Sequence, residues 1–254
     1  MLPGGESTAM GLIGTGSGFS KDGEKNLWEC LKEFSAQKPT WGTCAGMILL
    51  AEQCVGASAV IQNGQALVGG MDMLVCRNYF GSQVSSFEMA TPPPPAASDD
   101  KTEQDSFPGV FIRAPAILSA GDGVSVLGKV IATPCRQAAV VLDELERKVA
   151  NGEKVMQLGV VDALERKSAQ EITYRVVVKA PPGKETEEEK KESTVEEAGT
   201  VVLPGAADGT NAREVICAVQ KGNLLCTAFH PELTDDYRWH AYFVEKMVKK
   251  SMSS

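Results

Sequence analysis

Pro39-Thr-Trp-Gly-Thr-Cys-Ala-Gly-Met-Ile-Leu-Leu-Ala51 is the stretch that decides the fold. It reads as a strand end, a turn centred on Cys44 between Gly42 and Gly46, and the start of an apolar helix. Gly42-Thr-Cys-Ala-Gly46 is the cysteine form of the G-x-S-x-G nucleophile elbow, a sharp strand-to-helix turn that lifts the nucleophile clear of its neighbours. Small flanking residues allow that turn. The helix N-terminus behind it favours a thiolate and points free N–H groups at any oxyanion formed there. On its own the pattern fits a buried structural cysteine after a glycine turn equally well.

Upstream, Met1-Leu-Pro-Gly-Gly-Glu-Ser-Thr8 reads as a strand end entering a glycine loop. Two consecutive glycines allow positive φ and close approach to a ligand, and a peptide there can offer an N–H to an oxyanion. An ordinary Gly-Gly turn with a Ser or Thr helix cap is the plainer alternative. Leu27, Trp28, Leu31 and Phe34 recur at helical spacing, so one amphipathic helix is expected over about 20–34.

Downstream of the elbow, Leu67–Val75 reads as a strand region and delivers Arg77-Asn78 to a loop. Arginine presents a planar fork of donors suited to a carboxylate or an amide. The four prolines 92–95 open a stiff, then polar loop over 92–105. Phe107–Ile117 resumes as an apolar strand carrying Arg113, and Val124–Ala132 reads as another strand. From 136 to 212 the character changes, with a helix expected at Val140–Ala150 and strands at Val155–Val161 and Thr173–Val178. Residues 181–197 are acidic and of low complexity. Seven Glu and three Lys between Lys184 and Glu197 carry half of the chain's net charge of −8, too little apolar surface to offset ordering entropy, so disorder is expected there.

Glu214–Gln220 and Leu224–Phe229 form a closing hairpin that delivers His230-Pro-Glu-Leu233. Residues two apart on an extended segment face the same way, so His230 and Glu232 project together. A carboxylate behind an imidazole sets its tautomer and supports the imidazolium. With Cys44 upstream, this pair turns the elbow from a structural feature into a candidate Cys-His-Glu triad. An amphipathic helix from Tyr237 to about Lys250 ends the chain, its basic last turn suiting the helix dipole.

Composition narrows the function classes. A 254-residue chain with 43% hydrophobic and 23% charged residues is long enough to bury a real core, and one globular domain over 1–254 is expected. The net charge of −8 argues against nucleic acid as the main partner. No apolar run is long enough to cross a bilayer, so no membrane role is expected. Seven scattered cysteines without C-x-x-C or zinc-like spacing point to a reducing, cytoplasmic compartment and to no metal site.

Gly-Thr-Cys-Ala-Gly46 and His-Pro-Glu232 together resemble the class I, triad-type glutamine amidotransferases. Pro3–Thr8, Trp41–Ala51, Val68–Asp72, Arg77–Gln83, Ser86–Glu88, Phe107–Ala116 and Thr227–Leu233 resemble one branch, the glutaminase subunits of pyridoxal 5′-phosphate synthases in their plant-like form. The resemblance covers about 1–91, 106–135 and 213–248. It implies a three-layer α/β fold with a mixed, mostly parallel sheet and helices on both faces. It implies that Cys44 is the nucleophile and that His230, braced by Glu232, is the acid and base. Gly4, Gly5 and Ala45 would form the oxyanion hole, and Gly5, Glu6, Ser7, Arg77, Ile112 and Arg113 would bind L-glutamine. The implied partner is the synthase (lyase) subunit, which receives the ammonia; no cofactor would sit in this chain.

The chain departs from that pattern twice. Family members carry a first strand, a glutamine-glycine loop and a helix ahead of the Pro-Gly-Gly-Glu-Ser motif, and this chain begins at the motif. The 136–212 stretch is atypical of the family and is expected as a surface excursion. Three other readings stay open: a triad amidotransferase serving another synthase, a non-catalytic scaffold or regulator, and a cysteine peptidase.

Overall fold

The computed structural model describes residues 1–16, 25–56, 65–80, 86–95, 106–151, 158–166, 172–178, 202–206 and 211–253, with backbone alone for 158–166 and 172–178. Its first half runs through α1 (Ser7–Thr15), α2 (Leu27–Gln37), β1 (Thr40–Thr43), α3 (Ala45–Leu50), β2 (Ala51–Val55) and β3 (Met71–Cys76). Then come β4 (Ser86–Thr91), β5 (Phe107–Ile112), β6 (Ala116–Ala120), β7 (Ser125–Ala132) and α4 (Arg136–Ala150). β8 (Leu158–Arg166), β9 (Ile172–Val178), β10 (Arg213–Lys221) and β11 (Leu224–Thr227) complete the strands. A 3₁₀ turn, Pro231–Leu233, leads to a closing rod of α5 (Arg238–Tyr242), a π-helical segment (Phe243–Val248) and α6 (Lys249–Met252).

The main sheet follows the order β1-β11-β10-β6-β3-β2, with β7 also on β10. It is an α/β fold with a mixed sheet, as the sequence leads one to expect, but parallel pairing is the smaller share. β1–β11 and β2–β3 are parallel, whereas β10 meets β11, β6 and β7 antiparallel and β3 meets β6 antiparallel. The reason lies in the hub strand β10. Its connection to β11 is the two-residue turn Gly222-Asn223, far too short for the crossover that parallel neighbours need, and Gly222 supplies the positive φ of 56°.

Trp41, Met47, Leu49, Leu50, Met71, Met73, Ile117 and Phe229 are all fully buried and centre the core on the elbow. α2 starts at Leu27 because Asn26 and Glu29 form a capping box: the Glu29 N–H donates to Asn26 Oδ1 at 2.9 Å and the Asn26 N–H to Glu29 Oε2 at 3.0 Å. Residues 20–24 of the helix expected over 20–34 lie outside the described residues.

The apolar stretch 107–117 is two strands, not one. Arg113 takes a positive φ of 48°, and there the chain leaves a two-stranded ribbon, β4–β5, for the main sheet at β6. β4 is a strand that the sequence reading does not anticipate, although Phe87 and Met89 alternate with exposed neighbours at strand period.

α4 behaves differently from a surface excursion. Ala138, Val141, Leu142 and Leu145 join the core, and at roughly 1.5–3 kcal/mol for each large apolar side chain buried this helix is fastened rather than loose. Arg213 binds it through Glu146, and the Cys135 N–H ahead of it donates to Tyr79 O at 2.8 Å. β8 and β9 pair antiparallel close to where strands were expected. The acidic 181–197 segment and residues 96–105 of the proline-led loop lie outside the described residues.

Candidate active site

The elbow is built from backbone contacts on three sides. Leu2 pairs parallel to β1, its N–H donating to Trp41 O at 2.7 Å and its carbonyl accepting from the Thr43 N–H at 3.0 Å. From the other side β11 takes the Cys44 N–H onto Thr227 O at 2.9 Å. Behind Cys44, all six residues of α3 are buried. Held this way, Cys44 adopts φ 49° and ψ −105°, a conformation costing about 1–3 kcal/mol for a residue with a side chain. Both flanking glycines are required by space. A Cβ on Gly42 would stand 2.5 Å from Gly46 O, and one on Gly46 would stand 2.0 Å from Leu2 O.

His230 arrives from the end of β11, its N–H donating to Val110 O at 2.8 Å. Its Nδ1 is 2.7 Å from Glu232 Oε1, which leaves Nε2 for the sulfur of Cys44. The route to this pairing differs from the extended segment expected from sequence. His230 stands at φ −104° and ψ 88°, outside the extended region, and Pro231 opens a 3₁₀ turn that brings Glu232 back onto the imidazole.

Hydrogen bonding to Cys44 and then to Glu232 raises the His230 pKa to about 9, against the opposing pull of burial. His230 therefore rests as an imidazolium facing the sulfur. For Glu232, burial pulls the pKa upward, but the His230 contact and a backbone N–H outweigh it and the net shift is downward. His240, the second histidine, packs edge-on against Trp41 at 5.2 Å between ring centroids and adds a small electrostatic contribution to lowering Glu232.

Replacing Glu232 by Gln should lower the pKa of His230, since the second-largest contribution raising it is weakened while the Cys44 contact remains. The expected loss in kcat is about 10- to 100-fold, milder than for an Asp lost from a serine triad because thiol-imidazole pairs also work with an amide behind the ring. The pH profile of Cys44 alkylation should show the histidine limb moved to lower pH.

The loop before α1 closes over the triad. A Cβ on Gly4 would meet His230 Cε1 at 2.3 Å, so the Gly4 backbone lies directly on the imidazole. Gly5 takes a φ of 148°. In the first turn of α3 the Gly46 N–H is spent on Pro3 O at 3.1 Å, while Ala45 stands at the first helical position, where backbone donors lack intrahelical partners. Ile112 sets its carbonyl 3.9 Å from Cys44 Sγ.

Glu6 caps α1, accepting from the Ala9 N–H at 2.6 Å and the Thr8 N–H at 3.2 Å. Burial tends to raise its pKa, but these bonds and Arg77 lower it overall. Arg77 is buried and its Nη2 donates to Ser7 Oγ and Thr8 Oγ1, both at 2.9 Å, and lies 3.6 Å from Glu6 Oε1. Its Nε is buried without a partner among the described residues.

Glu6, Ser7 and Arg77 thus form one cluster, and Gly4, Ile112, Cys44, His230 and Glu232 another beside the same loop. Arg113 is exposed at its strained turn, with no hydrogen bond drawing it into either cluster among the described residues. Thr8 was not singled out from sequence. Only its place after Ser7 hinted at the second oxygen that Arg77 takes up.

Burial acts on four of the other thiols. All seven cysteines are free. Burial pushes Cys54 and Cys217 up to about 12, and Cys76 and Cys226 higher still. Among the described residues no His, Cys, Asp and Glu group could hold a metal ion.

A strained elbow cysteine, an imidazolium against it and a carboxylate behind the ring make a candidate site for acyl transfer through a thiol in an α/β protein. The chain belongs to the SNO glutamine amidotransferase family, whose profile matches residues 1–133 and 164–249. It is 36% identical over 251 residues to the probable pyridoxal 5′-phosphate synthase subunit PDX2 of Arabidopsis thaliana, covering 98% of this chain and 71% of that protein. It is 30% identical to the probable pdx2 subunit of Dictyostelium discoideum, covering 99% of this chain and 72% of that one. Against the pyridoxal 5′-phosphate synthase subunit PdxT of Bacillus cytotoxicus the identity is 30%, covering 99% and 76%. A crystal structure of a glutamine amidotransferase aligns over 96% of this chain and 75% of its own at 24% identity, with a TM-score of 0.49.

Proposed function

We propose that this chain is the glutaminase subunit of a pyridoxal 5′-phosphate synthase, hydrolysing L-glutamine to glutamate and ammonia for a separate synthase subunit. The observation that carries the reading is the His230 imidazolium held between Cys44 and Glu232, in a chain whose relatives across plants, amoebae and bacteria are synthase subunits. The sulfur of Cys44 attacks the carboxamide carbon, forming the C–S bond as the carbonyl electron pair moves onto oxygen. The N–H groups of Ala45 and the Gly4-Gly5 loop receive that oxyanion. His230 passes its proton to the amide nitrogen, the C–N bond breaks, and ammonia leaves. His230, now neutral, takes a proton from water, which cleaves the thioester to glutamate.

Glutamine would lie over Gly5, Glu6 and Ser7, with Arg77 the cation nearest the loop and Ile112 and Arg113 closing the far side. The buried Arg77 Nε, without a partner among the described residues, and the Ala45 N–H at the helix start are donors that such a ligand would use. Free thiols throughout fit a reducing compartment, which supports the cytoplasm. No helix among the described residues is long and apolar enough to cross a membrane.

The test is glutamate release from glutamine by the purified chain, alone and with a cognate synthase subunit, alongside labelling by a glutamine-like electrophile. Release that depends on the synthase, with the label on Cys44, is the expected result. Folded protein that neither releases glutamate nor takes the label with the synthase present would overturn the reading and leave a non-catalytic scaffold.

A further inference from the structure

A short strap, residues 65–69, joins the region after β2 to β3 and is bonded to three helices. Trp28 Nε1 of α2 donates to Leu67 O at 2.8 Å, and the N–H groups of Val68 and Gly69 donate to Leu49 O of α3 at 2.6 and 3.1 Å. At its first residue the strap grips α1 by a side chain. Gln65 Nε2 donates to Ser7 O at 2.9 Å and to Ala66 O at 3.1 Å, while Ser7 Oγ donates to Gln65 Oε1 at 3.1 Å.

Donor and acceptor roles in this network have one solution. Arg77 Nη2 can only donate, so Ser7 Oγ accepts from it at 2.9 Å and its single proton goes to Gln65 Oε1. Two carbonyls face the other end of the Gln65 amide, so that end is the NH₂. Ser7 is buried, its one hydroxyl proton is spent on Gln65, and one of its lone pairs takes the Arg77 donor.

We infer that Gln65 is a positioning residue for glutamine recognition, fixing the Ser7 hydroxyl, the start of α1 and, through them, the guanidinium of Arg77. The inference rests on the glutaminase reading above. It has a consequence for Ser7 itself: with its hydroxyl proton committed, Ser7 can donate to a ligand only through its main-chain N–H. Losing either member of the pair therefore disturbs the same element, and Gln65→Leu and Ser7→Ala should resemble one another.

The experiment is steady-state glutaminase kinetics of the chain with its synthase partner for wild type, Gln65→Leu, Gln65→Glu and Ser7→Ala. For Gln65→Leu, KM for glutamine should rise about ten-fold with kcat within about two-fold, as expected for one or two lost hydrogen bonds that act on binding rather than on the reacting atoms. Alkylation of Cys44 by iodoacetamide should proceed at the wild-type rate, because the thiol-imidazole pair is untouched. Gln65→Glu keeps the volume and the oxygen facing Ser7 but sets a carboxylate oxygen against two carbonyls, so its KM should rise as well. That variant gives the reading if Gln65→Leu fails to fold.

Wild-type KM in folded Gln65→Leu and Gln65→Glu would overturn the inference, as would parallel losses in KM, kcat and alkylation rate, which mark a merely structural role. A wild-type complex that releases no glutamate would instead sink the glutaminase reading itself.

Discussion

Cys44→Ala should abolish glutamate release, by a factor on the order of 10⁴ or more, since removing the nucleophile of a triad leaves only binding and the oxyanion hole. The fold should survive, because Ala is smaller and the elbow is held by Leu2, Thr227 and Pro3 through backbone bonds that need no sulfur. The same variant separates two roles of His230. The Cys44 contact is the largest contribution raising its pKa to about 9, so in Cys44→Ala the imidazole should titrate nearer its ordinary range, which an NMR titration of His230 reads directly. The stability consequence has a definite sign. A histidine whose folded pKa is raised stabilises the native state fully below its unfolded value near 6.5, and that contribution is lost as pH rises through about 9. Any advantage of wild type over Cys44→Ala from this source should therefore be largest at mildly acidic pH and shrink towards pH 9. Unchanged glutamate release in folded Cys44→Ala would remove Cys44 from the chemistry.

Gly46→Ala should be the most damaging single methyl among the described residues. The added Cβ would sit 2.0 Å from the carbonyl oxygen and 2.8 Å from the Cβ of Leu2, and the oxygen is backbone that cannot swing aside. Relief requires pushing Leu2 off β1, which breaks the bonds to Trp41 and Thr43 and draws Gly4 away from His230. The cost is at least about 3 kcal/mol, or a fall in Tm on the order of 10 °C for a chain of this size. Gly205→Ala, at a position with nothing within 4 Å, is the matched control and should be close to neutral. Differential scanning calorimetry of the two decides the point. Equal melting temperatures would mean the Leu2 strand end does not lock the elbow.

The elbow and the hairpin that carries His230 were legible because each is a local pattern. Gly42 and Gly46 mark a turn that only small residues permit, and the Gly222-Asn223 turn marks the reversal before His230. The His230–Glu232 spacing was legible as well, but its geometry was not: Pro231 puts the pair on a 3₁₀ turn rather than a strand, and both routes bring i and i+2 together. Less legible was whatever depends on distant partners. The break of the apolar run 107–117 at Arg113 was missed although Pro115, two residues on, cannot donate to a ladder; the positive φ itself belongs to the long-range parting of β5, paired with β4, from β6 in the main sheet. Gln65 reads as one more polar residue in a glycine-rich stretch, and its role exists only once Ser7, far away in the chain, is brought beside it. The α4 helix could be read, yet its burial could not, since the acidic sequence after it suggested a solvated excursion and the core contacts of Leu142 and Leu145 are long-range.

The fate of the other thiols bears on how this protein ages. Cys76, Cys217 and Cys226 are sealed in the core, Cys54 is half-buried, and all four hold their protons tightly, so peroxide or disulfide-forming reagents find little thiolate there. Cys30 is exposed but stands apart from the imidazolium, and Cys44 alone has one beside it. Oxidative wear should thus fall first on Cys44, the sulfur proposed as the nucleophile, while the scaffold around it stays intact. An aged preparation would be a population of well-folded, inert copies still able to occupy a partner's docking site, and thiol reductants given early, before sulfinic acid forms, would return them to work.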